Sequence, residues 1–313
     1  MTRAGRRVLV VGGAGFVGAA AVRELLAEGW RVAVMDPARR EVPEGAEALA
    51  GSIEDAAAIR AAIEASQPDA VACFAAYGGS GGGLSRAAEA EADRAFAVNV
   101  LGFRRLLAEV AAAGIRRVVW TSSTVVLGAA ASEARVDEDA PRLPLGTYAL
   151  TKVLAEDVAD FMRRVHGLEI TGLRIPLMLG PGLWYDGAAS WVKRLVDEAA
   201  PGAAPEITAP GILFDAMHAA DLGRLVAQLL AGDAPREPIY HVAGFTTDAA
   251  TLARDMARIV PGYAPRLRIE APPVVFPLVD EARLVRDTGF AIRHDAEGVL
   301  RDMLANRSRS KVA

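Results

Sequence analysis

Five apolar runs punctuate the first half of the chain, and they are continuous rather than alternating: RVLVVG (7–12), RVAVM (31–35), AVACF (70–74), RRVVW (116–120) and EITGLRI (169–175). Such runs read as strands buried on both faces. Between them, residues 15–28, 54–65, 93–113 and 147–166 carry helical patterns. Strand followed by helix, repeated, predicts an α/β fold with a parallel sheet covered on both sides.

Beyond residue 176 the alternation loosens and prolines become frequent. Helices are expected near 188–199, 219–231, 248–259 and 295–306, with short strands such as PIYHVAG (238–244) between them. The expected organisation is a first domain over 1–176, a smaller α/β lobe over 177–306 interleaved with the sheet, and a frayed tail over 307–313. GGSGGGLS (78–85) is the one low-complexity stretch. It reads either as a lid over a site or as slack connection.

At 313 residues the chain has ample core for this plan. A net charge of -4 gives no reason to expect nucleic acid, which usually needs a basic face. The single cysteine, Cys73, lies in an apolar run and reads as a small core residue. With no internal disulfide possible, a reducing cytoplasm is the expected compartment. The stretch MTRAGRRVLVVGGAGFVGAAAV imitates a secretory signal, but its glycines are spaced as a phosphate-binding turn requires. No run reaches the ~18 continuous apolar residues of a membrane span, so no membrane partner is expected.

VLVVGGAGFVG sets Gly12, Gly13, Gly15 and Gly18 directly between the first strand and the first helix. Glycine there allows a tight turn and close backbone approach to a pyrophosphate. The helix N-terminus offers unpaired N–H groups and a partial positive charge to the phosphates. Asp36 closes the second strand eighteen residues after Gly18. Its carboxylate is placed to accept hydrogen bonds from adenosine ribose hydroxyls and would repel a 2′-phosphate. NAD is therefore favoured over NADP, although Arg39 and Arg40 stand close by. The sheet expected is of the doubly wound, Rossmann type.

TYALTK places Tyr148 and Lys152 four residues apart on a predicted helix, so both face one side. A phenol titrating near ~10 is a poor acid or base at neutral pH. A nearby ammonium favours the phenolate. These residues stand with Asp36, NVLG (99–102), VVWTSSTVVLG (118–128), YALTKVLAE (148–156), LRIPLMLGPG (173–182) and MHAADLGR (217–224). Together they resemble the extended short-chain dehydrogenase/reductase family, in its NAD-dependent epimerase/dehydratase group.

The resemblance implies that Ser123, Tyr148 and Lys152 form an active triad. Ser123 would bind the reacting oxygen, and Tyr148 would transfer the proton. Of the neighbouring hydroxyls, Thr121, Ser122 and Thr124 read as bystanders or cofactor supports. The same resemblance implies a cofactor site of Gly12, Gly15, Phe16, Val17, Gly18, Asp36, Ser52, Ile53, Ala75 and Asn99, with Tyr148 and Lys152 at its nicotinamide end. It also suggests a homodimer formed through 93–113 and 147–166.

Several family positions are changed. Ser52 in GSIED replaces the usual acidic residue, Leu127 a frequent tyrosine, and Leu177 an asparagine of nucleotide-sugar enzymes. Ser123 is followed by Thr124 and Val125 rather than a carboxylate, which argues against elimination or decarboxylation. A substrate pocket is expected from the glycine loop 78–85, Ser123, Arg174 and GLWYDGAASW (182–191). Trp184 and Tyr185 would form an aromatic wall, with Trp191 either in that wall or in the core. Arg174 either binds a substrate carboxylate or pairs within the fold. His218, without a His/Cys cluster, reads as structural, and no metal is expected.

The function these readings converge on is NAD-dependent hydride transfer to or from a secondary alcohol or ketone of a sugar, sugar acid or similar polyol. The alternatives are a sugar or nucleotide-sugar epimerase and, further off, a non-catalytic dinucleotide-sensing protein. Proteins of that last kind usually lose the tyrosine–lysine pair, which this chain retains.

Overall fold

The structure, a computed structural model, describes residues 5–37, 41–78, 83–130, 135–232, 236–272 and 276–307. Its first half runs β1 (Arg7–Val11), α1 (Phe16–Ala27), β2 (Arg31–Asp36), β3 (Glu47–Ala50), α2 (Ala56–Ser66), β4 (Ala70–Cys73), α3 (Gly83–Ala90), α4 (Ala92–Phe96), α5 (Phe103–Ala112), β5 (Arg117–Ser123), α6 (Thr147–His166) and β6 (Glu169–Ile175). The second half adds β7 (Leu177–Leu179), α7 (Ser190–Asp197), β8 (Glu206–Pro210), β9 (Phe214–His218), α8 (Ala219–Ala231), β10 (Ile239–His241), β11 (Phe245–Thr247), α9 (Ala249–Ile259), β12 (Arg266–Glu270), α10 (Ala282–Thr288) and α11 (Ala296–Ala305).

Seven parallel strands form one sheet in the order β10-β6-β5-β4-β1-β2-β3. The continuous apolar runs follow from cover on both faces. Val8 and Val10 of β1 enter one apolar layer with Val22 and Leu25 of α1 and Leu225 and Leu229 of α8. Leu9 and Val11 enter the opposite layer with Ile59 of α2, Leu106 of α5 and Met162 of α6. Cys73 lies in that second layer, and burial pushes its thiol up to about 11. Each fully buried aliphatic side chain of this kind contributes roughly 1.5–3 kcal/mol.

The strand order reverses between β1 and β4, which opens a crevice at their C-terminal ends, where ligands of open α/β sheets bind. The second half of the chain completes this sheet rather than standing apart. Strand β10 pairs with β6. Helix α8 joins α1 in its apolar layer, and Arg6 Nη1 donates to the carbonyl of Ala231. Two small sheets, β11-β9-β7 and β12-β8, make up the remainder.

Several expectations change. The helix expected over 93–113 is interrupted by a π-helical turn, Ala97–Gly102, between α4 and α5. The glycine-rich stretch 78–85 gives way to helix α3 from Gly83 onward, while residues 79–82 lie outside the described residues. Strand β3 has no apolar run to betray it, because it is a largely exposed edge strand. The expected strand over 238–244 is confined to β10, and β11 joins another sheet. Arg39 and Arg40 lie outside the described residues, as does the tail beyond Arg307. Among the described residues no helix is long and apolar enough to cross a membrane.

Candidate active site

The turn after β1 is shaped by backbone proximity. Gly12 adopts φ +80°, and a Cβ there would lie 2.6 Å from the backbone nitrogen of Ala75, just past β4. A Cβ on Gly18 would lie 2.2 Å from the carbonyl oxygen of Gly12. Only glycine at both positions lets the turn, the β4 loop and α1 approach this closely. Gly15 precedes α1 and gives it no side-chain cap. The first-turn N–H groups of α1 have no intrahelical acceptor and no cap from Gly15. Asp36, at the end of β2, accepts from the N–H of Ala14 at 3.2 Å, which ties the carboxylate to the turn.

A groove of about 410 Å³ runs along this edge. Its walls include Gly12, Gly15, Phe16, Val17, Gly18, Asp36, Ser52, Ile53 and Ala75, so nine residues expected at a cofactor site share one surface. The bare glycine turn, open helix N-terminus and terminal carboxylate suit a dinucleotide with unphosphorylated ribose hydroxyls. Asn99 is not on that surface. It sits in the π-helical turn, where its Oδ1 accepts from the N–H of Tyr77 at 2.7 Å and its Nδ2 donates to Thr151 Oγ1 at 2.9 Å. It thereby links the loop after β4 to α6, and reaches the groove only through Tyr77.

Strand β5 continues through Ser123, and alternation explains its hydroxyl-rich end. Ser123 faces a cavity of about 830 Å³ that Tyr148 also lines. Both side chains open onto this one space, where the Ser123 hydroxyl favours the phenolate form of Tyr148. Lys152, one turn along α6, is buried; its Nζ donates to the carbonyl of Thr121 at 2.8 Å and lies 5.7 Å from the Tyr148 ring centroid. Burial pulls this ammonium down to about 8, against the opposing pull of Glu156. Burial pushes the Tyr148 phenol well above its ordinary range, Tyr185 adds to the rise, and Ser123 partly offsets it. In the chain by itself, burial thus outweighs the lowering expected from Lys152. Tyr148 rests as a protonated phenol.

Ser122 points the other way. Its hydroxyl donates to Glu156 Oε1 at 2.6 Å. Arg174 grips the same carboxylate through two bonds, Nε to Oε1 at 2.9 Å and Nη2 to Oε2 at 2.8 Å. Its Nη1 reaches the carbonyl of Glu138 and His241 Nε2. The register pairs Ser122 with Arg174 and Ser123 with Ile175, so Arg174 shares the face of the bystander serine. Of the two roles open to Arg174, the structure shows pairing within the fold. The Arg174 guanidinium is buried and does not line the cavity. Thr124 Oγ1 is buried and has no hydrogen-bond partner among the described residues.

The aromatic wall divides. Tyr185 lines both cavity and groove, whereas Trp184 lines the groove alone. Trp191 is buried against Phe214 and belongs to the core. Leu177 does line the cavity, but Leu127 is packed away from it with Val126 and Val279. His218 caps α8 by accepting from the N–H of Ala220, contacts Asp302 at 3.0 Å and stacks on His294. No cluster of metal-binding side chains occurs among the described residues.

The chain is 32% identical over 172 residues to a UDP-glucose 4-epimerase of Lactobacillus helveticus, a match covering 54% of this chain and 50% of that one. It is 35% identical over 200 residues to a 3 beta-hydroxysteroid dehydrogenase/Delta 5-->4-isomerase of Mycobacterium tuberculosis, covering 63% and 52%. The matched region thus spans about half the length of these curated relatives. The crystal structure of a Thermus thermophilus UDP-glucose 4-epimerase in complex with NAD superimposes with a TM-score of 0.82 at 25% identity, covering 98% of this chain and 100% of that one. Residues 8–243 match the NAD dependent epimerase/dehydratase family, and the chain belongs to that family.

Proposed function

We propose that this chain is an NAD-dependent oxidoreductase moving a hydride between nicotinamide and a secondary alcohol or ketone, with Tyr148 as the acid–base group. One observation carries the reading: the groove beside the glycine turn and the cavity walled by Ser123 and Tyr148 meet at Val17, Leu84 and Tyr185. NAD in the groove would supply the hydride acceptor or donor. Gly12, Gly15 and Gly18 leave room for its pyrophosphate, and Asp36 receives its ribose hydroxyls.

The chain's own residues do the rest. Ser123 holds the substrate oxygen, and Tyr148 gives that oxygen a proton on reduction or takes one on oxidation. Lys152, as a cation, stabilises the phenolate that forms. Asn99 and the Glu156–Arg174 pair touch neither substrate nor cofactor; they hold α6, and with it Tyr148 and Lys152, against β5. With a buried Thr124 after Ser123 and no carboxylate there, simple hydride transfer is favoured over elimination.

The sequence points to a sugar, sugar acid or similar polyol as substrate, and the epimerase relatives support sugar chemistry. They equally support a second reading, an epimerase that oxidises and re-reduces one carbon with retained NAD. NADH absorbance during turnover separates the two. Accumulation supports the dehydrogenase, whereas epimer formation without NADH refutes it.

A homodimer is also proposed. Leu150, Phe161 and Val165 of α6 are exposed apolar side chains, as is Leu101 in the π-helical turn. Light scattering at one chain mass would overturn it. The lone buried thiol of Cys73 supports the cytoplasmic placement.

A further inference from the structure

The lining of the larger cavity favours a secondary alcohol or ketone of a class other than the polyol that the sequence suggests. Its surface is built mainly from apolar side chains, among them Val125, Ile175, Leu177, Met178 and Phe276. Among the described lining residues, Ser123 and Tyr148 are committed to the reacting oxygen. That leaves Ser85, Arg86, Glu89 and Tyr185 as polar side chains for the remainder of a ligand. Glu89 is already engaged, since its carboxylate accepts from the N–H and the hydroxyl of Thr147. Tyr185 is half-buried and packs edge-on against Phe16, at 6.3 Å between ring centroids.

Arg86 differs from these. It is exposed on α3 and is the one cation among the described lining residues. No hydrogen bond or ion pair occupies it among the described residues.

A polyol fits such a surface poorly. Each hydroxyl buried without a partner weakens binding by roughly fivefold or more. The diphosphate of a nucleotide sugar brings two negative charges, more than one guanidinium offsets. A single carboxylate matches a single guanidinium. The volume, about 830 Å³, is in the range that encloses a ligand of many heavy atoms.

We propose that the substrate is a largely apolar secondary alcohol or ketone carrying one carboxylate. Its reacting oxygen lies at Ser123 and Tyr148, its body against Ile175, Leu177, Met178 and Phe276, and its carboxylate at Arg86. This assignment rests on the hydride-transfer reading for the position of the reacting carbon.

Titration calorimetry on the full, NAD-loaded chain tests it with lithocholate, a hydroxystearate, the methyl esters of both, glucuronate and UDP-glucose. At least one hydroxy acid is expected to bind tenfold or more tighter than glucuronate and UDP-glucose, in keeping with the apolar area it buries. Arg86→Gln should weaken that acid by roughly twofold to fivefold and leave its ester unchanged, as for a solvent-exposed charge pair. Failure of both acids to bind, equal or tighter binding of either sugar, or an acid-to-ester ratio indifferent to Arg86→Gln overturns the assignment. If an acid binds as expected but yields no NADH and its ketone consumes none, the hydride-transfer reading fails while the pocket assignment stands.

Discussion

Arg174→Met removes a buried guanidinium and keeps much of the aliphatic stem. What it leaves behind is the Glu156 carboxylate, only 8% exposed, which loses its two shortest bonds to a cation. Stripping one partner from a buried ion pair costs about 3–5 kcal/mol. Arg142 remains 3.4 Å from Glu156, and Ser122 still donates to it. The cost therefore falls at the lower end, ~3 kcal/mol, because part of the charge stays compensated. Urea unfolding of Arg174→Met, Glu156→Leu and the double variant measures it.

The double variant should regain most of the loss, since apolar groups replacing a whole buried pair are close to neutral. It will retain a deficit of ~1 kcal/mol from the Ser122 hydroxyl left without its acceptor. In the folded single variant KM should change by less than ~2-fold, because an interaction away from the cavity adds no substrate binding energy. A loss under ~1 kcal/mol together with a tenfold rise in KM would refute this reasoning and make Arg174 a substrate ligand.

Two further outcomes follow from named contacts. Gly18→Ala sets a Cβ 2.2 Å from the Gly12 carbonyl oxygen, so the turn must shift; NAD affinity should fall roughly tenfold or more, a loss of ~1.4 kcal/mol, and unchanged calorimetric affinity would contradict the cradle. Lys152 is pulled down to about 8 by burial, so turnover should decline as pH rises through that value, whereas a flat profile to pH ~10 would remove the cation from the mechanism. Stability carries the opposite sign: between about 8 and the ordinary lysine range the unfolded chain holds a proton the folded chain has shed, so this contribution rises with pH there. Lys152→Met should abolish that slope in urea titrations of the cofactor-free chain.

Much of the site was legible because glycine and periodicity report on backbone. The bounds of α6 were readable from Gly146 and Gly167 on either side, and Gly167 adopts φ 65° as a left-handed cap. Likewise, the turn from Gly12 to Gly18 declares a close approach that no side chain would survive. What escaped depends on partners distant in sequence. Asn99 works through a π-helical turn, which the periodicity of a long helix conceals. Glu156 pairs with Arg174 across eighteen positions, and nothing local advertises it. One signal was nevertheless available: with Ser122 opposite Arg174 in parallel register, alternation sends Arg174 away from Ser123. Trp184 and Tyr185 are adjacent, yet only Tyr185 reaches the larger cavity, because their rings lie 82° apart.

If Tyr148 exchanges the proton while the groove holds NAD, then Tyr148→Phe should separate the two roles in a paired measurement. Deleting the phenolic oxygen would remove the proposed acid–base group without altering the glycine turn or Asp36. NAD affinity by calorimetry should therefore stay within ~2-fold of the wild type, while NADH formation falls by at least about a hundredfold, the low end for general acid–base catalysis. Undiminished NADH formation in that variant would contradict the account.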